Sequence, residues 1–279
     1  MGKLVRGADG LPADEVGEWV EEKHFDITQY VKLSHGARRQ FLGPGKAGAT
    51  YIDLFCGLGQ AKIRESSRIV DGAAIAAWRI ADGQGSPFSS MYIADKDPTR
   101  RQHCATRLRA LGAPVVEIPG TASQALQSLI PKLSPKGLHF AVLDPYSLGS
   151  LRFDLLRSLA AFQRMDILVL ISAMDLFRNI DQQSAGEASE FDDFAPGWRD
   201  HVPVELPQTE RRKKVMEYWA ASVAEKLQLN ASSEMHPVKN SVNRLIYWLL
   251  LLSRHELAQK FWKIVLKGRP QSTREMFPP

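Results

Sequence analysis

The sequence predicts an α/β protein built on a doubly wound, mostly parallel sheet, with an N-terminal helical layer and a C-terminal antiparallel hairpin. Three observations predict it. Continuous apolar runs such as "TYIDLF" (from Thr50) and "DILVLISA" (Asp166 to Ala173) alternate with helical patterns. That is the rhythm of βαβ units, whose strands are buried on both faces. Acidic residues and glycines gather where the apolar runs stop. The last run, "RLIYWLLLLS" (Arg244 to Ser253), follows a shorter strand candidate, "SEMHPVKN", across "KNSVN". This pair reads as a hairpin on the sheet's edge.

The elements follow in order. Residues 1–13 read as loose, with Gly, Pro and charge but no period. From Asp14 to Leu42, Trp19, Phe25, Ile27, Tyr30, Val31 and Phe41 recur at helical spacing, until "GPGKAGA" (Gly43 to Ala49) breaks the pattern. "TYIDLF" is the first strand, Ala73–Ala81 a helix and Ser89–Asp95 the second strand. Pro98–Gly112 is a helix with Pro in its first turn and Gly past its end. "PVVEIP" is the third strand, "ASQALQSLIPKL" a helix, His139–Pro145 the fourth strand, "LRFDLLRSLAAFQRM" a helix and Asp166–Ala173 the fifth strand. Residues 178–208 break the rhythm with acids, prolines and three aromatics, Phe191, Phe194 and Trp198. So long an interruption in a compact domain reads as a lid or a substrate-side insertion. A helix from Glu210 to Leu227 precedes the hairpin, and "HELAQKFWKIVL" is the closing amphipathic helix. The expected division is an N-terminal helical extension, 1–45, and a body, 46–279, that carries the insertion.

Composition narrows the function classes. Of 279 residues, 44% are hydrophobic and 24% charged, as in a globular protein. No apolar run is long enough to span a bilayer, and the opening residues lack the core of a signal peptide. The expectation is a cytoplasmic protein without membrane contact. Arg6 stands where a myristoylation motif wants Ser or Thr. The only two cysteines, Cys56 and Cys104, form no metal-ligand spacing and read as reduced thiols, Cys56 as a small apolar residue in a turn. The seven histidines are scattered and read as structural or surface residues, and Trp248 and Trp262 as core. A net charge of +5 permits an anionic partner such as nucleic acid. The basic run "ERRKK" (Glu210 to Lys214) reads as a solvated helix face or as a phosphate-contacting patch.

The chemistry gathers at strand ends, where open parallel sheets bind ligands. Asp53, Gly57 and Gly59 follow the first strand, Asp95 and Asp97 the second, Gly120 and Thr121 the third, and Asp144, Pro145 and Tyr146 the fourth. Glycines at 57 and 59 allow positive φ and close approach of a ligand, or make an ordinary turn. The turn is G-x-G only, with Lys62 at the third position and "KIRESSRIVDG" before the next helix. A pyrophosphate on a helix N-terminus is therefore disfavoured. A ligand without phosphate fits better, and S-adenosyl-L-methionine (SAM) is one. Asp53 could take its ammonium, and Asp95, in competition with Asp97, both hydroxyls of its ribose. "LDPYS" (Leu143 to Ser147) resembles the (D/N)PP(Y/F) element of amino-methylating enzymes without its second proline. There Asp144 would hold the target amine or take its proton and Tyr146 would stack on the target's ring. The alternative is an Asp that caps the next helix.

These motifs together resemble the bacterial three-Cys-motif partner proteins (TcmP). The matching stretches are "EEKHFDITQYV", "YIDLFCGLGQ", "YIADKDPTRRQHCATRL", "FAVLDPYSLGSLRFDLLRSLAAFQRMDILVLI" and "YWLLLLSRHELAQKFW", which span most of residues 15–265. The resemblance implies a Rossmann-like sheet of the class I methyltransferase type and a two-protein system with a cysteine-motif partner of radical-SAM character. This chain has Gly57-Leu58-Gly59 where the family's turn reads more like GPG, and Thr121 where an Asp is common, which weakens an adenine contact at Thr121.

Three functional readings follow. The first is a SAM-dependent methyltransferase acting on nucleic acid, with Asp144 and Tyr146 catalytic and Asp53, Gly57, Gly59, Asp95 and Thr121 binding the cofactor. The second is a non-catalytic module that keeps the fold as a scaffold for a partner protein. The third places Mg²⁺ on Asp53, Asp95 and Asp144 and leaves the glycines without a purpose.

Overall fold

The computed structural model describes residues 3–177, 180, 190–231, 236–240 and 243–268. The chain opens with strands β1 (Leu4–Arg6) and β2 (Pro12–Val16), then helices α1 (Trp19–Leu33) and α2 (His35–Arg39). β3 (Ala49–Asp53) runs into the glycine turn, and β4 (Gln60–Ile63) and β5 (Ile69–Asp71) separate that turn from α3 (Ala73–Gly83). Then come β6 (Ser90–Ala94), α4 (Pro98–Ala110), β7 (Val115–Ile118), α5 (Ala122–Leu129), β8 (Leu138–Leu143), α6 (Phe153–Ala160) and β9 (Met165–Ser172). A helical segment α7 is described over 173–177. The remainder is α8 (Glu190–Phe194), α9 (Gln208–Leu227), β10 (Asn230–Ala231), β11 (His236–Lys239), β12 (Leu245–Ser253) and α10 (Glu256–Lys267).

The main sheet has the order β7-β6-β3-β8-β9-β12, with β10 and β11 both paired to β12. Its first five strands are parallel, while β12 runs antiparallel to β9 and to β11. The doubly wound α/β sheet and the late hairpin are therefore present as expected. The chain moves outward from β3 through β6 to β7, then returns to β3's other side with β8. The reversal opens a crevice beside the end of β3, the place such sheets offer to ligands. Register fixes what stands there: Asp53 pairs with Ile93 of β6 and Val142 of β8, each two residues short of the strand-end acid, Asp95 or Asp144.

Side chains alternate between two cores, one on each face. Ile52, Leu143, Val169 and Leu250 pack under α5, α6 and α9. Tyr51, Val142, Leu168 and Leu249 pack under α1, α3, α4 and α10. Trp248 and Trp262 belong to these cores, one to each.

The structure changes three expectations. Residues 4–16 are not loose: β1 and β2 join β4 and β5 in a second, four-stranded sheet, β1-β2-β4-β5. β2 pairs with β4 in parallel across some 45 intervening residues, and local periodicity carries no trace of such a partner. Within the span Asp14–Leu42 the helix begins only at Trp19 and is interrupted at Ser34. "KIRESSRIVDG", the stretch that keeps the next helix from the glycine turn, is most of the β4–β5 hairpin. In the 178–208 segment, residues 178, 179 and 181–189 lie outside the described residues. Phe191, Phe194 and Trp198 are buried at 4%, 0% and 0% exposure. Phe194 stacks on Trp219 of α9 with centroids 5.3 Å apart. These aromatics are core, and no described residue of 190–208 lines the cleft described next.

Candidate functional site

A cleft of about 660 Å³ opens at the carboxyl ends of β3, β6 and β8. Asp53, Gly57, Gly59, Asp95, Asp97, Asp144, Pro145 and Tyr146 all line it. The strand-end residues singled out in the sequence thus converge, except the pair after the third strand, Gly120 and Thr121. Thr121 is not among the lining residues. It caps α5 in a capping box with Gln124, after Gly120 at φ +101°. Strand β7 is the sheet's edge, one strand further from the reversal than Asp95, which is why its end falls short of the cleft.

Asp53 closes β3 and is 2% exposed. Its Oδ1 accepts a hydrogen bond from the Phe55 amide at 3.0 Å. Desolvation pushes its carboxyl up to about 7, the Phe55 bond pulls the other way, and the nearby charge of Asp144 adds to the rise. Tyr51, on the same strand, is kept protonated by its burial and then by the charge of the same carboxylate.

Gly57 sits at φ +59° and Gly59 at φ +80°, conformations that L side chains rarely adopt. Their surroundings differ. A Cβ on Gly59 would meet Ile75 Cδ1 at 2.9 Å and Cys104 Cα at 3.1 Å, so this glycine serves packing. At Gly57 the nearest atom would be Arg100 Nη2 at 3.6 Å, on the cleft side. The Gly57 amide donates to Asp95 Oδ2 at 3.1 Å and the Asp97 amide to Oδ1 at 2.9 Å. Asp95 therefore fastens the glycine turn to the end of β6 and still has lone pairs on both oxygens for a ligand. Asp97 caps α4, accepting from the Thr99 amide at 2.8 Å and the Arg100 amide at 3.3 Å. That is its role within the chain, although it too lines the cleft.

Asp144 is not alone: Lys23 of α1 reaches its Oδ2 at 2.6 Å. Lys23 in turn lies over the Trp19 ring, 5.9 Å from its centroid, and Trp19 meets Tyr247 edge-on at 5.6 Å. Tyr146 is 57% exposed, with Arg100 and Lys96 each 5.8 Å from its centroid. Arg100 also pairs with Asp14 of β2, which brings the second sheet into the cleft wall. The sequence reading missed Asp14, Trp19, Lys23, His24, Arg100 and Tyr247. These come from the N-terminal segment, the flank of α4 and the late strand, and no local motif marks them. His24 is held neutral, its titration pushed down to about 3 by desolvation and then by the Lys23 charge.

Cys56 lines the cleft as a free thiol, and its hydrogen bond with the Cys104 thiol and its burial push its titration well up, which disfavours the thiolate a nucleophile needs. The basic run on α9 is engaged within the chain. Arg211 donates to the Leu206 carbonyl, Arg212 to the Phe177 carbonyl, and Lys214 pairs with Glu217. Among the described residues no group of His, Cys, Asp and Glu is arranged to hold a metal. Lys23 occupies Asp144, which takes away one of the three donors of the Mg²⁺ reading.

Six carboxylates (Asp14, Glu15, Asp53, Asp95, Asp97, Asp144) and four cationic side chains (Lys23, Arg64, Lys96, Arg100) line the cleft. The acidic majority favours a cationic ligand over a phosphate. No helix among the described residues is long and apolar enough to cross a membrane.

No protein-family model matches the chain, and no curated protein matches it. Several solved structures resemble it at low identity. Protein LPL1258 from Legionella pneumophila str. Philadelphia 1 is 9% identical over 86% of this chain and 91% of its own, with a TM-score of 0.48. Cofactor-bound Rv0187 from MTB is 13% identical over 82% and 80%, with a TM-score of 0.42. Geranyl diphosphate methyltransferase in complex with SAM is 12% identical over 80% and 85%, with a TM-score of 0.32. The architecture of this chain is read from its own strand order and register.

Proposed function

We propose that the cleft binds S-adenosyl-L-methionine and that the protein transfers its methyl group to an amine-bearing acceptor. The observation that carries this reading is the convergence of Asp53, Gly57, Asp95 and Asp144 on one acidic cleft beside the strand-order reversal. The residues present fit such a cofactor: the cleft has room for a nucleoside with its side chain, its charge suits a cation, and Gly57 leaves backbone open. Once bound, the cofactor would supply an electrophilic methyl group, and the proton that the acceptor nitrogen gives up would pass to Asp144. The chain's part is to bind and orient. Asp95 takes the ribose hydroxyls and Asp53 the ammonium end. Asp144 accepts a hydrogen bond from the acceptor amine and, with Lys23 stabilising its charge, holds that amine in line. Tyr146 gives the acceptor an exposed ring to stack on.

The finer expectations belong to this proposal. The resemblance to three-Cys-motif partner proteins supports one half of a two-protein bacterial system, in which a nucleic-acid base with an exocyclic amine is the natural acceptor for Asp144 and Tyr146. The Lys23–Asp144 pair favours a second reading, a scaffold that binds without catalysis, because it occupies the carboxylate an acceptor would need.

Calorimetric titration with S-adenosylhomocysteine tests the binding claim. The native chain is expected to bind at micromolar concentration. Asp95→Ala, which removes the ribose acceptor and frees the Gly57 turn, is expected to lose about 100-fold, roughly two hydrogen bonds to a charged group. No heat from the native chain at millimolar ligand would remove the proposal. Binding without methyl transfer to any nucleic acid or protein would favour the scaffold.

A further inference from the structure

At the opposite edge of the main sheet, where β3, β8 and β9 begin, lies a second cavity of about 180 Å³, bounded by residues of α1, α2 and α10. It shares no lining residue with the cleft. Tyr30, Phe41, Phe88, Phe140 and Phe261 give its walls a set of aromatic rings among polar and charged side chains. An apolar cavity of about 150 Å³ holds a benzene ring, so this one has room for a single ring and a short chain.

Two acceptor atoms in the lining lack a well-placed donor, although the Ser253 hydroxyl lies near enough to Asp166 to favour its charged form. Asp166 Oδ1 and His139 Nδ1 are buried without a hydrogen-bond partner. The other oxygen of Asp166 accepts from the Tyr30 hydroxyl at 2.7 Å. His139 is 1% exposed, and its Nε2 donates to the Ser134 carbonyl at 2.9 Å. Its Nδ1 therefore carries a lone pair, and burial keeps the ring neutral. Two guanidinium groups also line the cavity: Arg164 donates to the Lys136 carbonyl at 3.3 Å and lies over the Phe41 ring, and Arg38 is committed elsewhere. It donates to the Ser86 carbonyl and hydroxyl at 3.0 and 3.1 Å, to the Val31 carbonyl at 2.6 Å and to the Ser34 hydroxyl at 2.8 Å. A buried carboxylate oxygen without a donor is unfavourable, and a donor arriving with a ligand relieves it.

We propose that this cavity binds an arylalkylammonium compound, a single aromatic ring carrying a primary ammonium group. The ammonium donates to Asp166 Oδ1, and the ring lies among Tyr30, Phe88 and Phe140. Ring-on-ring packing supplies the affinity and the carboxylate supplies the preference for a cation.

The test is a ligand-observed NMR titration of the full chain with phenethylamine and, separately, with 3-phenylpropionate. Phenethylamine is expected to bind at millimolar concentration or tighter, and 3-phenylpropionate at least tenfold more weakly. Asp166→Asn keeps the shape of the side chain and is expected to weaken phenethylamine about tenfold or more. Ala37→Phe, at a half-buried lining position on α2, fills the cavity and is expected to abolish binding with the thermal midpoint retained. If Asp166→Asn does not fold, Ala37→Phe carries the test. No phenethylamine binding by the native chain, equal binding of the two compounds, or unchanged affinity in a folded Ala37→Phe chain would overturn the proposal.

Discussion

Arg107→Ala is expected to destabilise the protein by about 3 kcal/mol and to release residues 4–16 from the body, although Arg107 does not line the cleft. This guanidinium is 5% exposed and holds the N-terminal segment at several points. It makes a two-pronged bond to Asp9, Nε to Oδ2 at 2.7 Å and Nη2 to Oδ1 at 2.8 Å. It donates to the carbonyls of Pro12 at 3.0 Å and Leu11 at 3.3 Å, and to the carbonyl of Leu58 inside the glycine turn. The pairing holds the Asp9 carboxyl below its usual range. Alanine would leave the Leu58 carbonyl buried without its donor and Asp9 without its partner, and such truncations of buried pairs are costly. Lysine would keep the charge but lose the fork, so Arg107→Lys should recover only part of the loss. Because β2 carries Asp14 and Glu15 into the cleft wall, S-adenosylhomocysteine should also bind more weakly. Urea unfolding and hydrogen exchange of residues 4–16 check the prediction. An unchanged midpoint with full protection there would contradict it.

The second large effect is carried by protons. Asp53 titrates near 7 in the folded protein and near 3.8 unfolded. A raised value means that folding favours the protonated form. Its contribution is fully present below about pH 4 and is lost as pH rises through 7. Three units correspond to about 4 kcal/mol. Asp53→Asn, which keeps an acceptor for the Phe55 amide, should therefore be the more stable chain at pH 8, with the difference vanishing near pH 4. Ligand binding runs the other way. A cationic ligand stabilises the ionised carboxylate, so affinity should fall as pH drops below 7, by up to tenfold per unit, and binding should release a proton. Calorimetry in buffers of different ionisation enthalpy measures that release. A pH-independent affinity between 5 and 8 would contradict the assignment.

The fold was legible where a single segment carries its own signal. Strands β3, β8 and β9 read as buried runs because both faces are covered, and α4 announced itself through Pro98 and Gly112. β1, β2 and the β4–β5 hairpin were not legible. They are short, partly polar strands whose pairing joins residues 12–16 to 60–63. The burial of Phe191, Phe194 and Trp198 against α9 is likewise a tertiary fact, without period in the sequence. Of the site, the residues at the ends of β3, β6 and β8 could be read because a parallel sheet places them on one edge. Thr121 misled because the same rule ignores how far an edge strand lies from the reversal. Lys23 and Arg100 were invisible because their helices approach the cleft only in three dimensions.

The central claim is that Asp53 and Asp95 frame a seat for an adenosyl cation. The most direct test is a crystal structure of the chain grown with S-adenosylhomocysteine. The expected result is the ribose on Asp95, the amino-acid end near Asp53 and the sulfur facing Asp144 and Tyr146. A ligand-free cleft at saturating concentration, or a ligand seated elsewhere, would contradict the account.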